Sequence, residues 1–196
     1  QTDLITGEEI SGAVLSIKSL DGKLVKEWIS GEEIQITGIL KPGETYLLAE
    51  VLPASGYAWA EEIPFAVGGG GGIHRVRMED RPTQAEIRKT DMVTGEELPG
   101  AVLVLKDKNG HVVDRWTSGN TPHRIMGRLN AGEAYTLSEV TAPSGYQIAE
   151  EVTFTVSKDG TIDRVVMEDK RKEPEKPEKP GKPEKPERPV PDDDRE

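Results

Sequence analysis

The sequence predicts an all-β protein: two tandem Greek-key β-sandwich domains followed by a disordered, polyproline-rich tail. Three observations predict it. Most of the chain is one sequence module written twice. Each copy is a series of short β-branched runs separated by turn residues. Residues 172–196 then change composition abruptly to Pro, Lys and Glu.

The repeat sets the domain organisation. QTDLITGEEISGAVLSIKSLDGKLVKEWISG (1–31) lies over KTDMVTGEELPGAVLVLKDKNGHVVDRWTSG (89–119) without a gap. After one inserted residue, PGETYLLAEVLPASGYAWAEEIPFAV (42–67) lies over AGEAYTLSEVTAPSGYQIAEEVTFTV (131–156), and the match runs on to MED (78–80) over MED (167–169). The reading is a first domain over 1–82, a second over 83–171 and a tail over 172–196.

Within each copy, AVLSIKS or AVLVLKD alternates like a half-buried strand. Asp21-Gly22 or Asn109-Gly110 comes next, then KLVKEWI or HVVDRWT, which is the pattern of a hairpin. Further strands are expected at TYLLAEV and AYTLSEV, at IPFAV and VTFTV, and at HRVRMED and DRVVMED. Short strands at this density in about 85 residues suggest a Greek-key sandwich. No stretch carries helical periodicity.

The tail has Val190 as its one aliphatic residue and no aromatic. It cannot bury enough apolar surface to fold. Its prolines favour polyproline II at about 3.1 Å per residue, so 172–190 would reach roughly 60 Å.

Composition excludes several functions. The net charge of -11 and pI near 4.9 disfavour nucleic acid as a partner. No apolar run approaches the roughly 20 residues that span a bilayer, so no membrane insertion is expected. The chain opens directly on QTDLITGEEI, which reads as a mature or excised segment. It has no cysteine, so it has neither disulfides nor thiolate metal sites. Small extracellular domains usually carry such staples, which directs attention to another kind of crosslink.

KTDMVTGEELPGAVLVL, YTLSEVTAPSGY and RVVMEDK, in that order and spacing and twice over, resemble the CnaB-type (SpaA-like, prealbumin-like) domains of Gram-positive adhesins and pilins. The resemblance implies an Ig-like, prealbumin-like sandwich in both modules. It also implies an extracellular, cell-wall-anchored stalk, with the Pro-rich segment spanning the wall. Its partners would be neighbouring domains of the same surface protein, and peptidoglycan through a C-terminal LPxTG sorting signal that this sequence lacks.

Many members of that family close an intramolecular isopeptide bond. It joins a Lys on the first strand to an Asn or Asp on the last, assisted by an interior Glu. The matching positions in the second module are Lys89, Asp169 and Glu139. The chemistry is reasonable: an amine attacks only when neutral, a carboxyl is a useful electrophile only when protonated, and burial favours both neutral forms. A protonated Glu139 would polarise the Asp169 carbonyl and shuttle protons. On residue types alone, a Lys89–Glu139 ion pair with Asp169 merely ending a strand is the commoner arrangement. The resemblance favours the bond.

The first module departs from the pattern. Gln1 takes the lysine position, while Glu50 and Asp80 keep the other two. A carboxamide nitrogen has a delocalised lone pair, so no bond is expected there. Lys18 and Lys23 lie at no matching position. If Glu50 and Asp80 are buried, they should stay protonated or share hydrogen bonds with Gln1.

Other signals weigh less. Gly68–Gly72 aligns with SKDGT, a hairpin turn, and lacks the Gly-Lys-Ser/Thr of a phosphate loop. His74, His111 and His123 share no metal-ligand spacing and are expected at the surface, and Glu8-Glu9, Glu96-Glu97 and Asp192–Asp194 match no calcium loop. No metal or other cofactor is called for. Trp28 and Trp116 share a strand position suited to core packing. Trp59 is unmatched and, if exposed, is the best single candidate for a contact surface. The leading expectation is a structural stalk, not an enzyme beyond a single-turnover self-crosslink. The alternatives are a module binding a host surface ligand, matrix protein or glycan, and an accessory sandwich of an extracellular enzyme.

Overall fold

The computed structural model describes residues 1–174. The expectation of a disordered tail therefore falls almost wholly outside the described residues. The first module forms β1 (Thr2–Asp3), β2 (Val14–Ser19), β3 (Leu24–Ile29), β4 (Thr45–Leu52), β5 (Ile63–Ala66) and β6 (Glu79–Asp80). The second forms β7 (Gln84–Asp91), β8 (Val102–Lys106), β9 (Val112–Thr117), β10 (His123–Met126), β11 (Ala134–Thr141), β12 (Val152–Thr155) and β13 (Ile162–Asp169). No helix occurs among the described residues, and the all-β expectation holds.

Each module has a four-stranded antiparallel sheet of the same order, β3-β2-β4-β5 and β9-β8-β11-β12. The hairpins β2–β3 and β8–β9 turn at the Asp-Gly and Asn-Gly units. Gly69 and Gly70 form a turn after β5, as Lys158 and Asp159 do after β12. In the second module a second sheet, β10-β7-β13, covers the first. Its β7 and β13 run parallel in register from Gln84↔Ile162 to Asp91↔Asp169.

The modules differ in this second sheet. HRVRMED reads as a strand as convincingly as DRVVMED, yet only Glu79–Asp80 are extended and paired. The reason is partner supply. β13 lies along eight residues of β7, whereas β6 has only Thr2 and Asp3 beside it. A strand's backbone groups need a ladder, and side-chain pattern alone does not hold one. The counterpart of β10, residues 34–37, is likewise unpaired in the first module.

Alternation places the cores. In the second module Ala85 and Ile87, Leu103 and Leu105, Tyr135 and Leu137, and Val165 and Met167 point inward and are buried. In the first, Leu15, Ile17, Tyr46, Leu48 and Met78 do the same. Trp28 and Trp116 pack half-buried against the two cores. Trp116 also stacks on His123 at 4.1 Å between ring centroids, and His123 Nε2 lies 3.0 Å from Asp114. His123 is thus half-buried rather than a free surface residue, because β10 folds it over β9.

Candidate functional site

Three inward-facing rows of the second module end in polar residues at the same end of the sandwich. On β7, Ala85 and Ile87 lead to Lys89; on β11, Tyr135 and Leu137 lead to Glu139; on β13, Val165 and Met167 lead to Asp169. Period-two geometry puts each on the core side of its strand. A register shift between Glu139 and Thr141 in the β8–β11 ladder frees the strand immediately beyond Glu139.

The three side chains meet. Lys89 Nζ donates a hydrogen bond to Asp169 Oδ1 and lies 3.1 Å from Glu139 Oε1. Lys89 is 2% exposed, Glu139 7% and Asp169 0%. Glu139 Oε2 accepts the Ala149 N–H at 2.8 Å, which fixes the carboxyl's orientation. Among the described residues, Glu139 Oε1 makes an ion-pair contact but no well-angled hydrogen bond, and Asp169 Oδ2 has no hydrogen-bond partner. Such orphaned buried oxygens are rare and costly.

The charge count governs protonation in the cluster. Two carboxyls and one amine share a buried site, so full ionisation leaves one uncompensated negative charge. Burial pushes the Asp169 carboxyl above its ordinary range, the Lys89 amine opposes this, and the neighbouring Glu139 adds to it. The arrangement can transfer a proton within the cluster, and it holds a nitrogen in direct hydrogen-bond contact with the Asp169 carboxyl.

A clamp closes the same end. Asp91 Oδ2 accepts hydrogen bonds from the Tyr146 hydroxyl at 2.6 Å and Arg171 Nε at 2.8 Å. Asp91 Oδ1 caps the adjoining turn through the Val93 and Thr94 N–H groups. Together these interactions hold the Asp91 carboxyl well below the usual range. They also tie the chain just after Asp169 to the chain just after Lys89. Sequence reasoning misses Tyr146 and Arg171 as site residues. Their one signal is the recurrence of Ser-Gly-Tyr, which reads first as a turn.

The first module brings Gln1, Glu50 and Asp80 together in the same way. Gln1 Nε2 donates to Glu50 Oε1 at 2.7 Å and to Asp80 Oδ2 at 2.5 Å. Glu50 Oε2 accepts the Ala60 N–H at 2.9 Å, as Glu139 accepts that of Ala149. Burial pushes the Asp80 carboxyl up to about 7, with Gln1 opposing and Glu50 adding. Gln1 Oε1 and Asp80 Oδ1 are buried without partners among the described residues. Asp3 keeps its tyrosine, Tyr57, at 2.8 Å, but Pro82 stands where the second module has Arg171.

The same two modules are matched by a known family. The family model for the SpaA prealbumin-like fold domain matches twice, over residues 1–82 and 83–171. Among solved structures, the Bacillus anthracis TIE protein is similar at 24% identity and a TM-score of 0.48. The match covers 87% of this chain but only 33% of that one, so this chain spans about a third of its length. A double mutant of the shaft pilin SpaA from Lactobacillus rhamnosus GG is similar at 13% identity, covering 88% of this chain and 92% of that one, with a TM-score of 0.39. A streptococcal ancillary pilin matches at 21% identity over 86% of this chain and 60% of its own, with a TM-score of 0.37. No curated protein matches the chain.

Proposed function

The chain belongs to the SpaA family of prealbumin-like fold domains, and from that premise we propose that it is a structural stalk segment of a Gram-positive surface protein, its second domain stiffened by an isopeptide bond between Lys89 and Asp169. The observation that carries the proposal is the buried Lys89 amine held against the Asp169 carboxyl beside Glu139. The domains are taken as 1–82 and 83–171. The Pro-, Lys- and Glu-rich segment 172–196 is taken, on composition, as a spacer crossing the cell wall.

The reaction balances without a cofactor. A protonated Glu139 gives its proton to the Asp169 carboxylate and takes one from the Lys89 ammonium, so it ends the exchange protonated. The neutral amine attacks Asp169 Cγ, and Glu139 stabilises the developing oxyanion as a hydrogen-bond donor. The C–N bond forms, the C–O bond breaks, and the carboxyl oxygen leaves as water with the protons that the nitrogen gives up. The product is an amide that closes a loop between residues 80 apart. By analogy with disulfide loop entropy, closure contributes about 4.5 kcal/mol. Force pulling residues 83 and 171 apart would then load a covalent bond instead of the β7–β13 ladder.

Single-molecule pulling on the whole chain tests the stalk role. The first domain should extend by roughly 280 Å of contour length, at up to about 3.5 Å per residue over residues 1–82. The second should give no comparable step. Two full-length steps per chain would defeat the proposal.

A further inference from the structure

Only Arg81, Pro82 and Thr83 separate β6 from β7, and all three are built into a contact between the domains. The Thr83 hydroxyl is buried, 2.6 Å from the Leu129 carbonyl and 3.1 Å from that of Gly56. The Thr83 N–H donates to the Gly56 carbonyl at 2.9 Å, and the Gly127 N–H donates to the Thr83 carbonyl at 2.9 Å. The connection is therefore hydrogen-bonded to the first domain on one side and to the second on the other.

The base of the first domain sits on two loops of the second, around 127–132 and 157–160. The Ser55 hydroxyl donates to Asn130 Oδ1 at 2.9 Å. The Trp59 N–H donates to the Lys158 carbonyl at 2.9 Å, and the Lys158 ammonium lies 5.2 Å from the indole centroid. Backbones approach without side chains between them. A Cβ on Gly56 would fall 2.2 Å from the Gly127 carbonyl oxygen, and one on Gly160 would fall 3.0 Å from the Arg81 Cβ.

The repeat supplies an internal control. Ser144-Gly145-Tyr146 is the same loop in the second domain, and Gly145 has φ +86 where Gly56 has +84. Among the described residues nothing lies within 4 Å of a Cβ on Gly145, and Ile148, aligned with Trp59, is 62% exposed. Among the described residues, the tryptophan and the close approach occur together, at the copy of the loop that meets the other domain.

We propose that these two loops of the second domain are a docking surface for the base of the first, anchored on Trp59, and that the two domains move as one body with no hinge at 81–83. The inference stands on the junction geometry and needs no Lys89–Asp169 bond. Trp59, unmatched in sequence and suited to a contact, is thereby assigned to its neighbouring domain.

The chain has no cysteine, so two can be introduced for spin labels at Glu27→Cys and Asn109→Cys, one exposed position in each domain. Pulsed electron resonance on the whole chain should give one narrow distance distribution. Trp59→Ala should at least double its width. Lys158→Ala, which leaves the first domain untouched, should broaden it less. Gly56→Ala should broaden it as well, while Gly145→Ala, with the same backbone strain and open space, should not. A distribution already broad in the otherwise unsubstituted chain would overturn the inference. So would a narrow one that survives both Trp59→Ala and Gly56→Ala.

Discussion

The two domains carry one fold and one polar cluster, built from aligned positions, but they treat a buried carboxyl pair differently. In the second domain Glu139 and Asp169 face an amine. In the first, Glu50 and Asp80 face a carboxamide. Both nitrogens donate hydrogen bonds, so the geometry survives the exchange. The chemistry does not, because only the amine has a lone pair free to attack and a positive charge to offset the carboxylates. Under the proposed crosslink, the same pair of acids is a reactive site in one domain and a proton-holding site in the other.

Removing the amine breaks the contrast most severely. Lys89→Ala should leave two uncompensated buried carboxyls, a loss of about 3–5 kcal/mol. It should also remove the closed loop, about 4.5 kcal/mol more. Denaturant unfolding should show the second domain falling from the more stable unit to one no better than the first. An unchanged second transition would mean that the cluster contributes little.

The converse substitution sharpens it. Gln1→Lys should place an amine where Gln1 Nε2 already reaches both Glu50 and Asp80, and a second water should be lost on crosslinking. The first domain would gain up to about 4.5 kcal/mol from closing a loop of similar length. Failure to crosslink would indicate that two residues of β1 are too few to hold a reactive lysine in place.

A pH series separates the domains without mutation. The folded-state value for Asp80, about 7, lies above its ordinary value of 3.8. The folded first domain therefore binds the extra proton between those two values. Its stability should be fully present below pH 4, fall as pH rises, and level off above pH 7, by a few kcal/mol at most. A crosslinked second domain has no Asp169 carboxyl left to titrate and should lack this slope. Equal slopes in the two domains would contradict the assignment.

The smallest effect concerns the clamps. Tyr57→Phe leaves Asp3 with only backbone donors, whereas Tyr146→Phe leaves Asp91 its arginine. Each loss should cost on the order of 1–2 kcal/mol. Thermal melts should show the greater loss for Tyr57→Phe.

Much of this is legible in the chain. The repeat and the alternation at 13–19 and 101–107 give the large sheets directly, because inward apolar positions recur every second residue. The same alternation carries Tyr135 and Leu137 on to Glu139, so the polar ends of the three rows can be read once the strands are in place. The truncated second sheet of the first domain is not legible. HRVRMED has the side chains of a strand, but whether it forms one depends on a partner far away in sequence. The Asp91–Tyr146–Arg171 clamp is hidden for a similar reason, since its members belong to three separated segments. The junction leaves one mark in the sequence, an unmatched tryptophan, and the three residues between the strands give no sign of being locked into both domains.

The most direct test of the central claim is the intact mass of the denatured, purified chain, alone and as Lys89→Ala. The account predicts a chain lighter than its sequence by one water, with the deficit abolished in Lys89→Ala and mapped by fragmentation to peptides containing Lys89 and Asp169. A full mass in the unsubstituted chain would contradict it.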